Sequence, residues 1–206
     1  METNQPKPPT ARAKLLEAAV GLIRAKGYSA TSVEDLCKAA GVTKGAFFHY
    51  FHSKEALGVA AADYWSETTS AMFAGAPYHN HDDPLDRVLA YIDFRGGLVA
   101  GGVETFTCLV GTMVQEAYQS SDAIRAACDA SITGHAATLE ANIAAAIKAY
   151  GVTGVTAQSL ALHTQAVLQG GFILAKAKGG PEAARESVAH LKRYFVMLFN
   201  QGRGAN

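Results

Sequence analysis

The stretch from Thr31 to Leu57, TSVEDLCKAAGVTKGAFFHYFHSKEAL, restricts the fold of this chain more than any other. Ser32 is placed to cap a short helix, with Glu34 and Asp35 in its first turn, where the helix dipole is positive. Val33, Leu36, Cys37 and Ala40 recur at i, i+3, i+4 and i+7, which is one buried face. Gly41 then ends the helix in a left-handed backbone that other residues resist. Val42 plugs the turn, and Thr43 caps a second helix over 44–51. Ser53 caps a third, opened by Lys54 and Glu55. Two short helices locked by a tight turn form a helix-turn-helix unit, in which the first helix braces the second in the major groove of DNA.

The second helix reads Lys44-Gly45-Ala46-Phe47-Phe48-His49-Tyr50-Phe51. Phe47 and Phe51, four apart, share the inward face, so Phe48, His49 and Tyr50 cannot all be buried. Gly45 and Ala46 contribute little to a core but let a backbone approach a base edge or thymine methyl, and Lys44 suits a phosphate or a guanine. Lys54 is disfavoured by the dipole in a first turn; a phosphate bound there would account for it. Charge agrees: residues 1–60 hold eight Lys and Arg against five Asp and Glu, and the rest ten against thirteen.

These residues carry a family resemblance. Ala19-Val20-Gly21-Leu22-Ile23-Arg24-Ala25-Lys26-Gly27-Tyr28, Thr31-Ser32-Val33, Ala39-Ala40-Gly41-Val42, Lys44 to Phe51 and Ser53-Lys54-Glu55-Ala56-Leu57 together resemble the TetR family of bacterial transcriptional regulators. The resemblance covers about a quarter of the chain. It implies DNA contacts at Ser32, Thr43, Lys44, Gly45, Ala46, Phe48, His49, Tyr50 and Lys54. Phe48 stands where the family often has tyrosine, so its contact would be apolar only.

The 206 residues suffice for one or two domains, and 49% apolar against 17% charged residues implies a well-filled core rather than a disordered chain. No apolar run approaches the ~18 residues of a membrane span. Met1 to Pro9 is polar and proline-rich, a flexible arm rather than a signal segment, so the expected location is cytoplasmic with no membrane partner. Three widely spaced cysteines form neither a disulfide framework nor a zinc site. His79, His81, Asp82 and Asp83 have metal-ligand atoms, but their segment, Pro77 to Pro84, reads as a solvated turn; no metal and no cofactor is expected.

Helical patterns are expected over about 10–26, 32–40, 44–51, 53–74, 85–100, 106–119, 122–150, 156–178 and 181–200. The fold class is all-α: a flexible arm at 1–9, a three-helix DNA-binding domain at 10–54, and an effector-binding and dimerisation bundle at 55–206, with the helix from Ser53 as connecting rod. In 122–150, Ile124, Cys128, Ile132, His135, Leu139, Ile143, Ile147 and Tyr150 form one stripe in steps of three and four. His135 interrupts it as either a satisfied core histidine or a polar anchor in a cavity. Tyr91, Phe94, Cys108, Val110, Gln115, Ile132, His135 and Leu139 are the candidate walls of an effector pocket, with Arg95 and His163 beside them. A mostly apolar wall with few polar groups suits a small, partly apolar ligand.

The last two helices read as a homodimer interface over about 156–200: Leu160, His163, Val167, Gly170, Gly171 and Leu174 on one, Val188, Leu191, Tyr194, Phe195 and Leu198 on the other. Two adjacent glycines cost helix stability, about 1 kcal/mol each, and close approach across a dimer would offset this. The resemblance also implies a dimer through these helices, and two-fold symmetry matches a palindromic operator.

Cys108 lies near a loop-to-helix junction, where a thiolate is stabilised. Its surroundings, Thr107-Cys108-Leu109-Val110-Gly111-Thr112 with Gln115 and Glu116, resemble a G-C-L-x-x-N-x-x-x-E pattern of electrophile-sensing, N-ethylmaleimide-responsive TetR repressors, with Thr107 for glycine and Thr112 for asparagine. That resemblance implies a reactive cysteine; the lack of a basic sequence neighbour favours a non-covalent ligand. The leading expectation is a repressor released from double-stranded DNA by a small molecule. Thiol sensing through Cys108 is the alternative. A cysteine and histidine enzyme is remote, because no orienting third group or nucleophile turn accompanies Cys108 and His135, and no enzyme is expected.

Overall fold

The computed structural model describes residues 9–203, with side chains described through residue 200. The arm expected at 1–9 lies almost wholly outside the described residues. Ten α-helices and one 3-10 turn form the described residues, with no strand among them. Helices α1 (Ala11–Lys26), α2 (Val33–Ala40) and α3 (Lys44–Tyr50) make a head. Helix α4 (Lys54–Ala74) leads into a body of α5 (Pro84–Gly97), α6 (Val103–Phe106), α7 (Leu109–Ala117), α8 (Asp122–Tyr150), α9 (Ala157–Lys178) and α10 (Glu182–Arg203).

The caps expected in the head are present. The Ser32 hydroxyl accepts from the Asp35 N–H, and the Asp35 carboxylate accepts in return from the Ser32 N–H, a reciprocal capping box. Gly41 ends α2 at φ 64°. The Thr43 and Ser53 hydroxyls cap α3 and α4. Lys26 reaches Asp35 at 2.7 Å, and this contact, with the Ser32 bonds, holds the Asp35 carboxyl well below the usual carboxylate range. In the body, α8 is about 43 Å long at 1.5 Å per residue. It is sandwiched by α4, α5, α7 and α9.

Two cores are present, and they do not divide at residue 54. One joins Leu15, Leu16, Ile23, Leu36, Phe47 and Leu57 of the head and rod to Leu109 and Met113 of α7 and Ile124 and Cys128 of α8. The other lies in the body under α5, α8, α9 and α10, around Tyr91, Ile143, Phe172, Phe195 and Phe199. Cys108 packs against both. Buried Gly58 marks the convergence: a Cβ there would meet the Tyr28 ring at 3.1 Å and Ile124 at 3.2 Å.

Three expectations about elements need correction. The helix expected over 106–119 is two pieces, because Thr107 and Cys108 are extended and α7 begins only at Leu109. The segment from Pro77 is not wholly solvated: it opens as a 3-10 turn over Pro77–Asn80, Tyr78 is buried, and its hydroxyl donates to the Phe73 carbonyl at 3.1 Å. Burial raises the Tyr78 phenol to about 12. The glycine pair in α9 is explained within the chain at Gly171, where a Cβ would sit 3.3 Å from the Ala184 backbone of α10. Among the described residues, nothing lies within 4 Å of a Cβ at Gly170.

Candidate nucleic-acid interface and ligand cavity

The head holds α3 by one side only. Phe47 is fully buried and Phe51 nearly so, their ring centroids 5.9 Å apart. The other side leaves Lys44, Gly45, Phe48, His49 and Tyr50 exposed, with Ala46 half-buried. Among the described residues, its own helix backbone and chain neighbours aside, only the Thr43 hydroxyl comes within 4 Å of a Cβ at Gly45, so a partner can approach the backbone there. Lys44 pairs with Glu34 in solvent, a contact that another anion can displace at little cost. Ser32 and Thr43 have their hydroxyls on caps, with their backbones at the two helix N-termini.

Lys54 departs from expectation. Its ammonium turns into the loop between α1 and α2 and donates to the carbonyls of Tyr28 at 3.0 Å, Thr31 at 3.0 Å and Ser29 at 3.4 Å. It also sits 4.4 Å from the Tyr28 ring centroid. All three ammonium protons are used, so Lys54 braces the head instead of offering a free charge to phosphate. Partial burial lowers its pKa accordingly.

A cavity of about 590 Å³ lies between the head and the body. Cys108, Val110, Ile132 and His135 line it as expected, and so does Arg95. Four other expected wall residues do not. Tyr91 is buried behind His135, its hydroxyl 2.9 Å from the His135 Nε2. Phe94 packs on Phe73 and Tyr78. Leu139, one turn past His135, belongs to the body core. Gln115 is exposed, its amide folded onto the Gly111 carbonyl at 2.6 Å. His163 also lies elsewhere, edge-on to Tyr194.

The wall also holds residues that sequence patterning did not reveal. Trp65, Ser66, Thr69 and Phe73 come from α4, and Gln165, Gln169 and Phe172 from α9. Ser66 donates to Ser131 of α8 at 2.7 Å across the α4–α8 contact. Arg24 comes from the head itself. Its Nε donates to the Thr107 carbonyl at 2.7 Å, and its guanidinium lies 5.0 Å from the Trp65 ring centroid. No periodicity in α1 marks Arg24 as anything but a helix-end cation.

Arg24 also changes the reading of Cys108. The Cys108 Sγ accepts from the Gly111 N–H at 3.4 Å, capping α7. Arg24 interacts favourably with that sulfur, and burial pulls the guanidinium's own pKa down. The cation missing from the local sequence is supplied by α1. Burial raises the thiols of Cys37 and Cys128, the latter to about 12.

His135 is a polar wall group with partners. Arg95 Nη1 lies 3.2 Å from the His135 Nε2 and 3.2 Å from the Tyr91 hydroxyl, and Gln165 reaches that hydroxyl at 3.5 Å. Arginine can only donate, so Nε2 accepts and the ring is neutral. Burial first, and Arg95 second, lower the His135 pKa to about 4.

Residues 15–61 match the tetR family of bacterial regulatory proteins, and residues 84–188 match the LmrA/YxaF-like transcriptional regulator C-terminal domain. The chain is 31% identical to the transcriptional regulator AcuR of Cereibacter sphaeroides over 57% of its own length and 53% of AcuR. It is 31% identical to the transcriptional repressor NemR of Escherichia coli K12 over 62% of its own length and 64% of NemR. It thus spans about half of the one relative and just under two thirds of the other. The crystal structure of reduced E. coli NemR superposes with a TM-score of 0.74 at 26% identity, covering 89% of this chain and 96% of that one. A TetR-family regulator from Agrobacterium tumefaciens shares the fold with a TM-score of 0.79 at 23% identity, covering 91% and 98%.

Proposed function

Because this chain belongs to the TetR family of bacterial regulatory proteins, we propose that it is a ligand-responsive DNA-binding regulator, a repressor released from a palindromic operator by a small molecule in the cavity. In this reading α3 enters the major groove. Lys44, His49 and Tyr50 meet phosphates or base edges, Gly45 and Ala46 allow close approach, and Phe48 makes an apolar contact. Ser32 and Thr43 offer helix N-termini, and Lys54 positions the head. The carrying observation is the Arg24–Thr107 bond: a head residue forms part of the cavity wall, so a ligand that displaces that wall acts on the head. Release requires a ligand with unequal affinity for the two head positions.

Gel shifts with the DNA upstream of the chain's own gene test this reading. Lys44→Ala should lower the salt dependence of binding by roughly one phosphate contact. Lys54→Met should weaken binding through a loosened head, at an unchanged salt slope, with a thermal midpoint below wild type. Equal salt slopes for Lys44→Ala and wild type would remove Lys44 from the backbone contacts.

The dimer surface follows from what stays outside. Leu160, Val188, Leu191 and Phe195, expected at an interface, are instead buried in the body, while Leu162, Ile173 and Leu174 of α9 and Tyr194 and Met197 of α10 are exposed. These side chains suit a second copy of the chain, as DNA reading by a symmetric pair requires. Leu174→Asp combined with Met197→Asp should give monomers in sedimentation velocity, with operator affinity lost in parallel. Wild type sedimenting as a monomer at micromolar concentration would end the proposal.

A second reading is favoured by Cys108 alone. Its sulfur lines the cavity, accepts an N–H at the start of α7 and has Arg24 nearby. Addition of a Cys108 thiolate to an activated alkene forms an S–C bond as the C=C π bond opens, the resulting enolate takes a proton from water, and no oxidant is needed. N-ethylmaleimide should label Cys108 before Cys37 and Cys128, and should release operator from wild type but not from Cys108→Ser. Equal release from both proteins would leave Cys108 a packing residue.

A further inference from the structure

The charges around the cavity are one-sided. Among the described residues that line it, two are arginines and none is acidic. The two guanidiniums differ. Arg24 uses its Nε on Thr107 and has a favourable interaction with Glu104. Arg95 has no carboxylate within ion-pairing distance among the described residues. The acid nearest it in sequence, Asp93, is taken by Lys192 at 2.6 Å. Arg95 engages Tyr91 and His135 through Nη1 alone, which leaves its Nη2 and Nε without protein partners among the described residues. Its guanidinium is held over Phe73 at 5.2 Å and Tyr91 at 5.9 Å. His135, neutral at ordinary pH, adds no charge. The guanidinium is therefore fixed in place by aromatic faces and two hydrogen bonds, with its remaining donors unpaired.

We propose that the cavity takes an organic carboxylate with an apolar body, its two oxygens bound by the free donors of Arg95 and its body lying against Phe73, Phe106, Ile132 and Phe172. The proposal rests on the reading of the cavity as the effector site and names the chemical class of that effector. A carboxylate fits because its two coplanar oxygens match the planar guanidinium fork. Arg95 is half-buried and has no counter-ion among the described residues, and a monoanion in the cavity would supply one. The largely apolar remainder of the wall rewards an alkyl or aryl body over a second charge. Gln165 and Gln169 supply neutral donors for one further polar group without altering the charge balance.

The test compares acids with their amides, which have nearly the same shape and no charge. Straight-chain acids from butanoate to decanoate and 3-phenylpropanoate are titrated by calorimetry into the full chain beside the matching primary amides. Wild type should bind at least one acid about tenfold or more tightly than its amide, the low end for an arginine fork. In Arg95→Gln the acid-to-amide ratio should fall to near one, and Arg95→Lys should keep part of it, because lysine retains the charge without the fork. The ratio is read within each variant, so a general loss of stability cannot imitate the result. Equal binding of acid and amide by wild type, a ratio unchanged in Arg95→Gln, or no binding of any acid at millimolar concentration overturns the proposal. The regulator reading fails separately. It falls if wild type does not bind the upstream DNA, whatever the calorimetry gives. It stands, and the carboxylate falls, if a neutral compound releases that DNA while no acid is preferred.

Discussion

A fragment ending at Gly75 is expected to be unfolded at room temperature, although it contains the whole helix-turn-helix and the rod. The head has too little core of its own. Leu109, Met113 and Ile124, all fully buried or nearly so, come from α7 and α8 and fill the space under α1 and α4. Removing them uncovers Gly58 and empties part of the core they share with Leu15, Leu16, Leu57 and Ala61. Each large aliphatic side chain lost from such a core costs about 2–5 kcal/mol, against a total stability of about 5–15 kcal/mol for a whole domain. Far-UV circular dichroism and a proton–nitrogen correlation spectrum decide the matter. A dispersed spectrum with a cooperative melt near that of the full chain would show that the head folds alone.

Two adjacent residues of α3 should give opposite outcomes. Phe47→Ala empties a fully buried site where three aromatic rings meet and should destabilise the chain by about 3–5 kcal/mol. Phe48→Ala removes a side chain that is 53% exposed and should change stability by less than about 0.5 kcal/mol. Operator affinity should fall in both, but Phe48→Ala should lose it with its chemical-denaturation midpoint unchanged. If Phe48→Ala bound operator as wild type does, the outward face of α3 would not be the docking face. If Phe47→Ala melted like wild type, the core assignment would be wrong.

What could be read from the sequence depended on the range of the interaction. The head was legible because its signals are local: an N-cap at Ser32 with Glu34 and Asp35 in the first turn, a left-handed Gly41, and a four-residue spacing between Phe47 and Phe51. The long body helices were legible from their apolar period. The cavity was half legible. His135 interrupts a regular stripe to which Ile132 belongs, whereas Ser66, Gln165 and Arg24 look like ordinary surface residues until the helices are packed. Tyr91 and Leu139 share the apolar character of wall residues but lie one layer deeper, a distinction that periodicity alone cannot make. Lys54 misled for a similar reason. A lysine in a helix's first turn suggests an external anion, yet the compensating partners were three backbone carbonyls more than twenty residues upstream.

The bond from Arg24 to the Thr107 carbonyl has a thermodynamic counterpart. If the ligand lowers DNA affinity by moving the wall that Arg24 shares, the cycle of states must close, and DNA must lower ligand affinity by the same factor. Couplings of this kind are typically about 5- to 150-fold. The operator would then act as a negative effector of the cavity. Protein free of DNA would take up ligand at lower concentrations than protein on its operator, and the ligand level needed for release would rise with the number of operator copies. A ligand titration with and without saturating operator would give that factor from the cavity's side, and a DNA titration with and without ligand would give it from the head's.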